Sequence, residues 1–228
     1  MSNVERHYRP GTYQRGEDTR RRILDAAIEI FAVEGYDGAS TRTLAERAGV
    51  NLPAIQYYFG SKEGLYRAVI DYMVRQMETR MNPIAERVRT LLDGGEPSPR
   101  ELLDHLCEML DAFVLVVFDK EHQQSRRLLW ARSEVEETAA LDPLHERGKK
   151  QIFEPCAMLI ARLLALSVDD EQVVLRTIAM IGQVVIFCNK ATRRALGWSD
   201  FGEYRIAAIQ KIVRRHAEAI FSVEGSRR

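Results

Sequence analysis

Between Thr41 and Lys62 the chain gathers residues able to bond a polyanion: Arg42, Arg47 and Lys62 against a single acid, Glu46, with Gln56, Tyr57 and Tyr58 among them. The chemistry on offer is hydrogen bonding to phosphate by cations and phenol hydroxyls, with a carboxamide nearby. Bulk charge gives no help, because 33 Lys and Arg balance 33 Asp and Glu; what counts is where the charges sit. A basic face on a neutral domain is compatible with this segment, and Arg20, Arg21 and Arg22 add a consecutive triplet upstream. Other chemistries find less support. Cys107, Cys156 and Cys188 lie far apart, form no paired metal or redox motif, and read as buried, inert thiols. No Gly-rich phosphate loop, His-Glu-x-x-His or Gly-x-Ser-x-Gly run occurs, and His105 with Glu108 supplies only half of a helical metal site. The chain reads as a non-enzyme with no metal and no cofactor; a helical small-molecule or metal-binding enzyme is the weaker alternative.

The elements that hold these residues can be read from turn chemistry. Thr41 is a good N-cap, Leu44, Ala45 and Ala48 share one face, and Gly49 can take the positive φ of a sharp turn. Val50 fills the corner. Asn51 caps a second helix with Pro53 in its first turn, and Ile55 and Phe59 recur four apart to anchor it. Leu52, Ala54, Gln56, Tyr57 and Tyr58 are left to point elsewhere. The spacing of Ala45, Gly49 and Ile55 is that of a helix-turn-helix, whose second helix enters the major groove. By spacing alone an αα-hairpin without a ligand fits too. Two tyrosines beside Phe59 cannot all face inward, so at least one hydroxyl is expected at the surface.

From Arg20 to Leu65 the chain resembles the tetracycline-repressor (TetR) family. The resemblance rests on Arg22-Ile23-Leu24-Asp25-Ala26-Ala27-x-x-x-Phe31, Gly35-Tyr36, Thr41-x-x-x-Leu44-Ala45-x-x-x-Gly49-Val50 and Ile55-x-x-Tyr58-Phe59-x-Ser61-Lys62-x-x-Leu65. Gln56 departs from it, standing where the family often has Tyr. The run from Ala54 to Glu63 is similar to one subgroup, whose C-terminal domain has a poorly defined ligand. The resemblance implies that Thr41, Arg42, Tyr58 and Lys62 contact phosphates. It implies that Leu52, Ala54, Gln56 and Tyr57 face bases, where Gln56 can pair bidentately with adenine. Arg20, Arg21 and Arg22 either reach a flanking phosphate or the minor groove, or form a solvated helix start.

The expected fold is all-α: an N-terminal three-helix helix-turn-helix domain and a C-terminal helical ligand-binding and dimerisation domain. Residues 1–18 read as a flexible basic arm, 19–65 as the DNA-binding domain and 66–228 as the effector-binding and dimerisation domain. A helix is expected from near Thr19 to Gly35, and another from Ser61 to about Met81, ended by Pro83. That second helix belongs to both halves. A short helix follows from Pro83, then a linker, Asp93 to Pro99. Later helices are expected over Pro99–Val117, Gln123–Thr138, Pro143–Leu166, Asp169–Leu196 and Asp200–Phe221. Leu102, Leu106, Met109, Phe113 and Val117 make an apolar stripe beside His105, which with Arg127, Trp130, Arg132, Phe153 and Met158 suits an aromatic or drug-like molecule. The resemblance implies that the last two helices pair with a second copy. Val173, Ile178, Ile181, Val185 and Ile186, and then Ile206, Ile209, Ile212, Val213 and Ile220, give more apolar surface than one side needs, and Gly182 permits close approach. The longest apolar run, Ile178 to Cys188, is too short to span a bilayer, which takes about 18 residues, and no secretory leader is legible. The reading is a cytoplasmic homodimeric regulator, most simply a repressor, that binds a palindromic operator in double-stranded DNA and answers a small-molecule effector, with no membrane partner. A DNA-organising protein without a transcriptional role is the alternative.

Overall fold

The computed structural model describes residues 10–118, 139–188 and 201–225, with residues 125, 128, 129, 131, 132, 194, 195 and 197 between them. Every regular element among these is helical: α1 (Pro10–Gly38), α2 (Thr41–Ala48), α3 (Leu52–Phe59), α4 (Lys62–Asp93), α5 (Pro99–Val117), α6 (Asp142–Gly148), a turn of π-helix (Lys149–Phe153), α7 (Glu154–Leu164), α8 (Glu171–Val185) and α9 (Glu203–Gly225), with short 3-10 turns at Ala139–Leu141 and Ile186–Cys188. The chain divides into two compact units between Val69 and Ile70, inside α4.

In the first unit α1 buries Ile23, Leu24, Ala27, Ile28, Ile30 and Phe31. It starts at Pro10, ahead of the expected Thr19. Thr19 is no cap; its hydroxyl donates to the Arg15 carbonyl at 2.9 Å, within a turn already formed. That turn lacks an apolar period because a solvated helix end needs none. Gly35, with φ 75° and ψ 178°, breaks the helix as expected, and a further turn continues to Gly38.

In the second unit α4 does not stop near Met81. It runs through Pro83 to Asp93. An interior Pro removes one hydrogen bond and costs about 3 kcal/mol. The apolar stripe Met77, Met81, Ile84, Val88 and Leu92 continues across it, all buried, and each such side chain contributes about 1.5–3 kcal/mol. Burial therefore outweighs the lost bond. The linker after Asp93 and the start of α5 at Pro99 stand as expected. Ser98 forms a capping box with Glu101, whose carboxylate accepts the Ser98 N–H at 2.8 Å and is held below its usual pKa by those bonds. The helix expected over Gln123–Thr138 lies largely outside the described residues.

The Leu102–Val117 stripe is packed core, not an open wall: Leu102, Leu106, Met109, Phe113 and Val117 are all buried against α4, α7, α8 and α9 residues. His105 Nδ1 bonds the Glu101 carbonyl at 2.9 Å, a local structural contact. α9 is fixed to α5 by Arg214 on Asp111 (2.5 Å) and by Gln210 on the Asp111 carbonyl (3.3 Å). Of the residues expected on the outer faces, Val173, Ile206, Ile209 and Val213 turn inward, whereas Ile178, Ile186, Ile212 and Ile220 stay open to solvent, joined by Leu175. Replacing Leu106 by Ala should lower the unfolding free energy by about 2–5 kcal/mol in urea; a stripe that served as a pocket wall would lose far less.

Candidate nucleic-acid interface

α2 and α3 are both short, so their ends are fixed by side chains. Ser40, not Thr41, caps α2: its hydroxyl accepts the Thr43 N–H at 3.0 Å, which leaves Thr41 as the first helical residue. Gly49 closes α2 in the left-handed region, φ 63° and ψ 40°, and the Val50 N–H returns to the Ala45 carbonyl at 3.0 Å. Asn51 caps α3 as expected, its side chain accepting the Ala54 N–H at 3.1 Å. Ile55 alone on α3 is fully buried, while Phe59 is half-buried with the Arg20 guanidinium 5.2 Å from its ring centre. The outward face of α3 carries Leu52 (51 % exposed), Gln56 and Tyr57 (82 % exposed). Ala54 and Tyr58 are half-buried on its flank, and the Tyr57 and Tyr58 rings meet edge-on at 4.9 Å.

The four residues expected at phosphate are held in different ways. Thr41 is half-buried and Arg42 is exposed at the start of α2, where Arg42 Nε donates to Glu46 at 2.9 Å, a bond that raises its pKa further. Lys62 Nζ stands 4.6 Å from the ring centre of Tyr36, which belongs to an aromatic cluster with Phe31 and Tyr66. The Tyr58 hydroxyl lies 3.7 Å from the point where a Cβ on Gly16 would stand. Of the arginine triplet, Arg21 and Arg22 are exposed and Arg20 is taken up by Phe59. Arg47 is drawn to α1 by Glu29 at 2.5 Å.

The sequence reading missed Tyr36 as the seat of Lys62 and gave no role to Gly64. Ser61 Oγ accepts the Gly64 N–H at 3.0 Å, and a Cβ on Gly64 would lie 2.1 Å from the Phe59 carbonyl oxygen. Only a hydrogen fits there, so Gly64 sets how α3 abuts the start of α4.

In the second unit an apolar groove of about 380 Å³ is lined by Arg80, Leu115, Phe118, Glu203, Ile206, Ala207 and Gln210; none of these was singled out as pocket-forming. Arg127 and Trp130 lie outside the described residues. Burial pushes the Cys107 thiol up to about 11 and Cys156 up to about 12, so both stay protonated at neutral pH. The Cys188 side chain lies outside the described residues. Among the described residues no group of three His, Cys, Asp or Glu could hold a metal, and no helix is long and apolar enough to cross a membrane.

Known proteins match both units. Residues 23–69 match the bacterial regulatory proteins of the tetR family, and residues 102–225 match the C-terminal domain of the HTH-type transcriptional dual regulator CecR. CecR of Shigella flexneri is 30% identical over 216 residues, 92% of this chain and 95% of its own. A putative fatty acid metabolism regulator of Clostridium perfringens shares the fold at a TM-score of 0.62 and 16% identity, covering 88% of this chain and 97% of that one. AibR, solved with isovaleryl coenzyme A and operator DNA, shares it at 0.61 and 16%, covering 86% and 96%.

Gly64→Ala should force α3 and α4 apart and cost about 1–3 kcal/mol of stability. It should weaken DNA binding at least tenfold at a temperature where circular dichroism still reports a folded chain.

Proposed function

The chain belongs to the TetR family of bacterial transcriptional regulators, and from that premise we propose that it is a ligand-responsive repressor acting as a homodimer on a palindromic operator. The observation that carries the reading is the exposed face of α3. Leu52, Gln56 and Tyr57 are exposed rather than buried in the core of their own unit, and cations flank the motif in the chain: Arg42 at the start of α2 and Lys62 at the start of α4. In this reading Thr41, Arg42, Tyr58 and Lys62 set register on phosphates, and Leu52, Ala54, Gln56 and Tyr57 meet the bases. Arg42 and Lys62 exchange Glu46 and the Tyr36 ring for phosphate. The Arg42–Glu46 pair is exposed, and such surface pairs are weak. The name of the Shigella relative, dual regulator, supports activation at other promoters through the same reader.

Dimerisation uses α8 and α9. Leu175, Ile178 and Ile186 with Ile212 and Ile220 leave a solvent-facing apolar surface that the unit's own core does not take up, and nothing stands within 4 Å of a Cβ built on Gly182. A two-fold pairing of such faces gives two reader helices for two half-sites. The effector binds in the second unit. α4 is one continuous helix from Lys62 to Asp93, so the chain that answers the effector runs unbroken into the chain that carries Lys62.

On the cognate operator, Lys62→Ala should weaken binding similarly for all sequences and reduce the log–log salt slope by about one unit. Gln56→Ala should cost about 1–3 kcal/mol at one base position per half-site. Fluorescence anisotropy on a mutant operator panel checks both, and a reversal of the two effects would refute the assignment.

Gly182→Leu should overpack the seam and shift the monomer–dimer equilibrium, at about 1–3 kcal/mol per buried site. Sedimentation velocity of an unchanged micromolar dimer would place the interface on another face.

A further inference from the structure

The helical run from α6 into α7 changes register at Lys149–Phe153, where the Glu154 N–H donates five residues back to the Lys149 carbonyl. Pro155 explains the change. Its ring nitrogen cannot donate the bond that the Gln151 carbonyl would take in an α-helix, and the ring crowds that carbonyl. Turns of this wide kind recur at functional sites. Gln151 sits in the middle of this one, and its Oε1 is enclosed with no hydrogen-bond partner, the only buried side-chain nitrogen or oxygen so placed among the described residues. A buried acceptor left unmet costs stability, so a position that keeps one calls for an explanation. Ile152 is buried beside it and Phe153 packs on the core. Two contacts with α4 lie just before Gln151: Arg147 faces Glu78 at 3.4 Å, and Arg89 donates to the Lys150 carbonyl at 3.5 Å. The open groove offers no comparable orphan, since Gln210 is bonded to Asp111 and Arg80 and Glu203 have partners of their own.

We infer that Gln151 is the polar reader of the effector site, and that it takes a neutral hydrogen-bond donor, a hydroxyl or an amide N–H, carried on an apolar body. This rests on the ligand-responsive reading above. A carboxylate would meet the orphan oxygen with no proton to share. An ammonium would be buried against it without a counter-charge. A neutral donor satisfies Gln151 Oε1 while its apolar body lies along the partly buried Phe153, and the bond is made in a turn that directly follows the contacts with Glu78 and Arg89 of α4.

The test uses full-length protein and matched probes that differ only in the donor: phenol and anisole, naphthol and methoxynaphthalene, decanol and methyl decyl ether. Calorimetry should show at least one alcohol or phenol binding tenfold or more tightly than its ether. In Gln151→Met that preference should fall to within about twofold, with ether affinity retained. The melting temperature without probe should rise by about 2–4 °C as the orphan acceptor is removed. In the wild-type chain the preferred probe should slow amide hydrogen exchange across residues 147–156, a readout that needs no variant. Equal binding of every pair, a preference kept by Gln151→Met, a fall in its melting temperature, or exchange protection confined to other segments would overturn the assignment. Operator release is followed in parallel. A probe that binds through Gln151 and leaves operator affinity unchanged refutes the ligand-responsive reading and supports the site. Release that survives Gln151→Met supports that reading and refutes the site.

Discussion

What the first unit can present to DNA depends on holding an eight-residue helix in place while fully burying only one of its side chains. A peptide of that length is not helical alone in water, because nucleation fixes several residues before any bond rewards it. α3 is held by contacts at its two ends and one point between. Asn51 accepts the Ala54 amide, Ile55 inserts into the core, and the Phe59 carbonyl closes onto Gly64. That economy leaves Leu52, Gln56 and Tyr57 free. A longer or more amphipathic helix would be steadier, but it would spend those positions on its own core.

Charge is handled in the same spirit. A net charge of zero gives the whole molecule no net-charge attraction to a polyanion, so affinity must come from where its cations are placed. In the first unit several are parked on weak partners: Arg42 on Glu46, Lys62 on the Tyr36 ring, Arg20 on the Phe59 ring. Arg47 differs, since Glu29 ties it to α1 through two nitrogens and the link joins two helices. Its part is in positioning α2.

The sequence was most legible where local chemistry decides the outcome. Gly49, Asn51 and Pro53 each have one good position in a turn–helix junction, and the structure puts them there. It was less legible where the deciding contact comes from far along the chain. Ser40 and Thr41 are equally good caps by type, and the backbone of the preceding turn chooses between them. Tyr36 reads as a turn residue until Phe31 and Tyr66 are seen around it. Gly64 carries no signal of its own, because the atom that forbids a side chain there belongs to Phe59. On α8 and α9 the apolar residues were visible, but the choice of which face inward depends on helix rotation: Val173 and Val213 go in, Ile178 and Ile212 stay out.

The two helix-interior prolines show why a residue type alone does not settle the structure. Pro83 and Pro155 each delete one amide donor, and by sequence each is an equal reason to break a helix. At Pro83 the stripe from Met77 to Leu92 keeps its period across the gap, so staying α-helical retains all of the burial and loses one bond. At Pro155 the helix keeps its course too, but the turn just before it widens, and the strain is taken up in register by five residues. The first solution leaves a continuous rod, α4. The second leaves a turn whose geometry is not the helix minimum and whose Gln151 retains an unmet acceptor. Arg147 on Glu78 and Arg89 on the Lys150 carbonyl join the rod to the helical run that carries the widened turn.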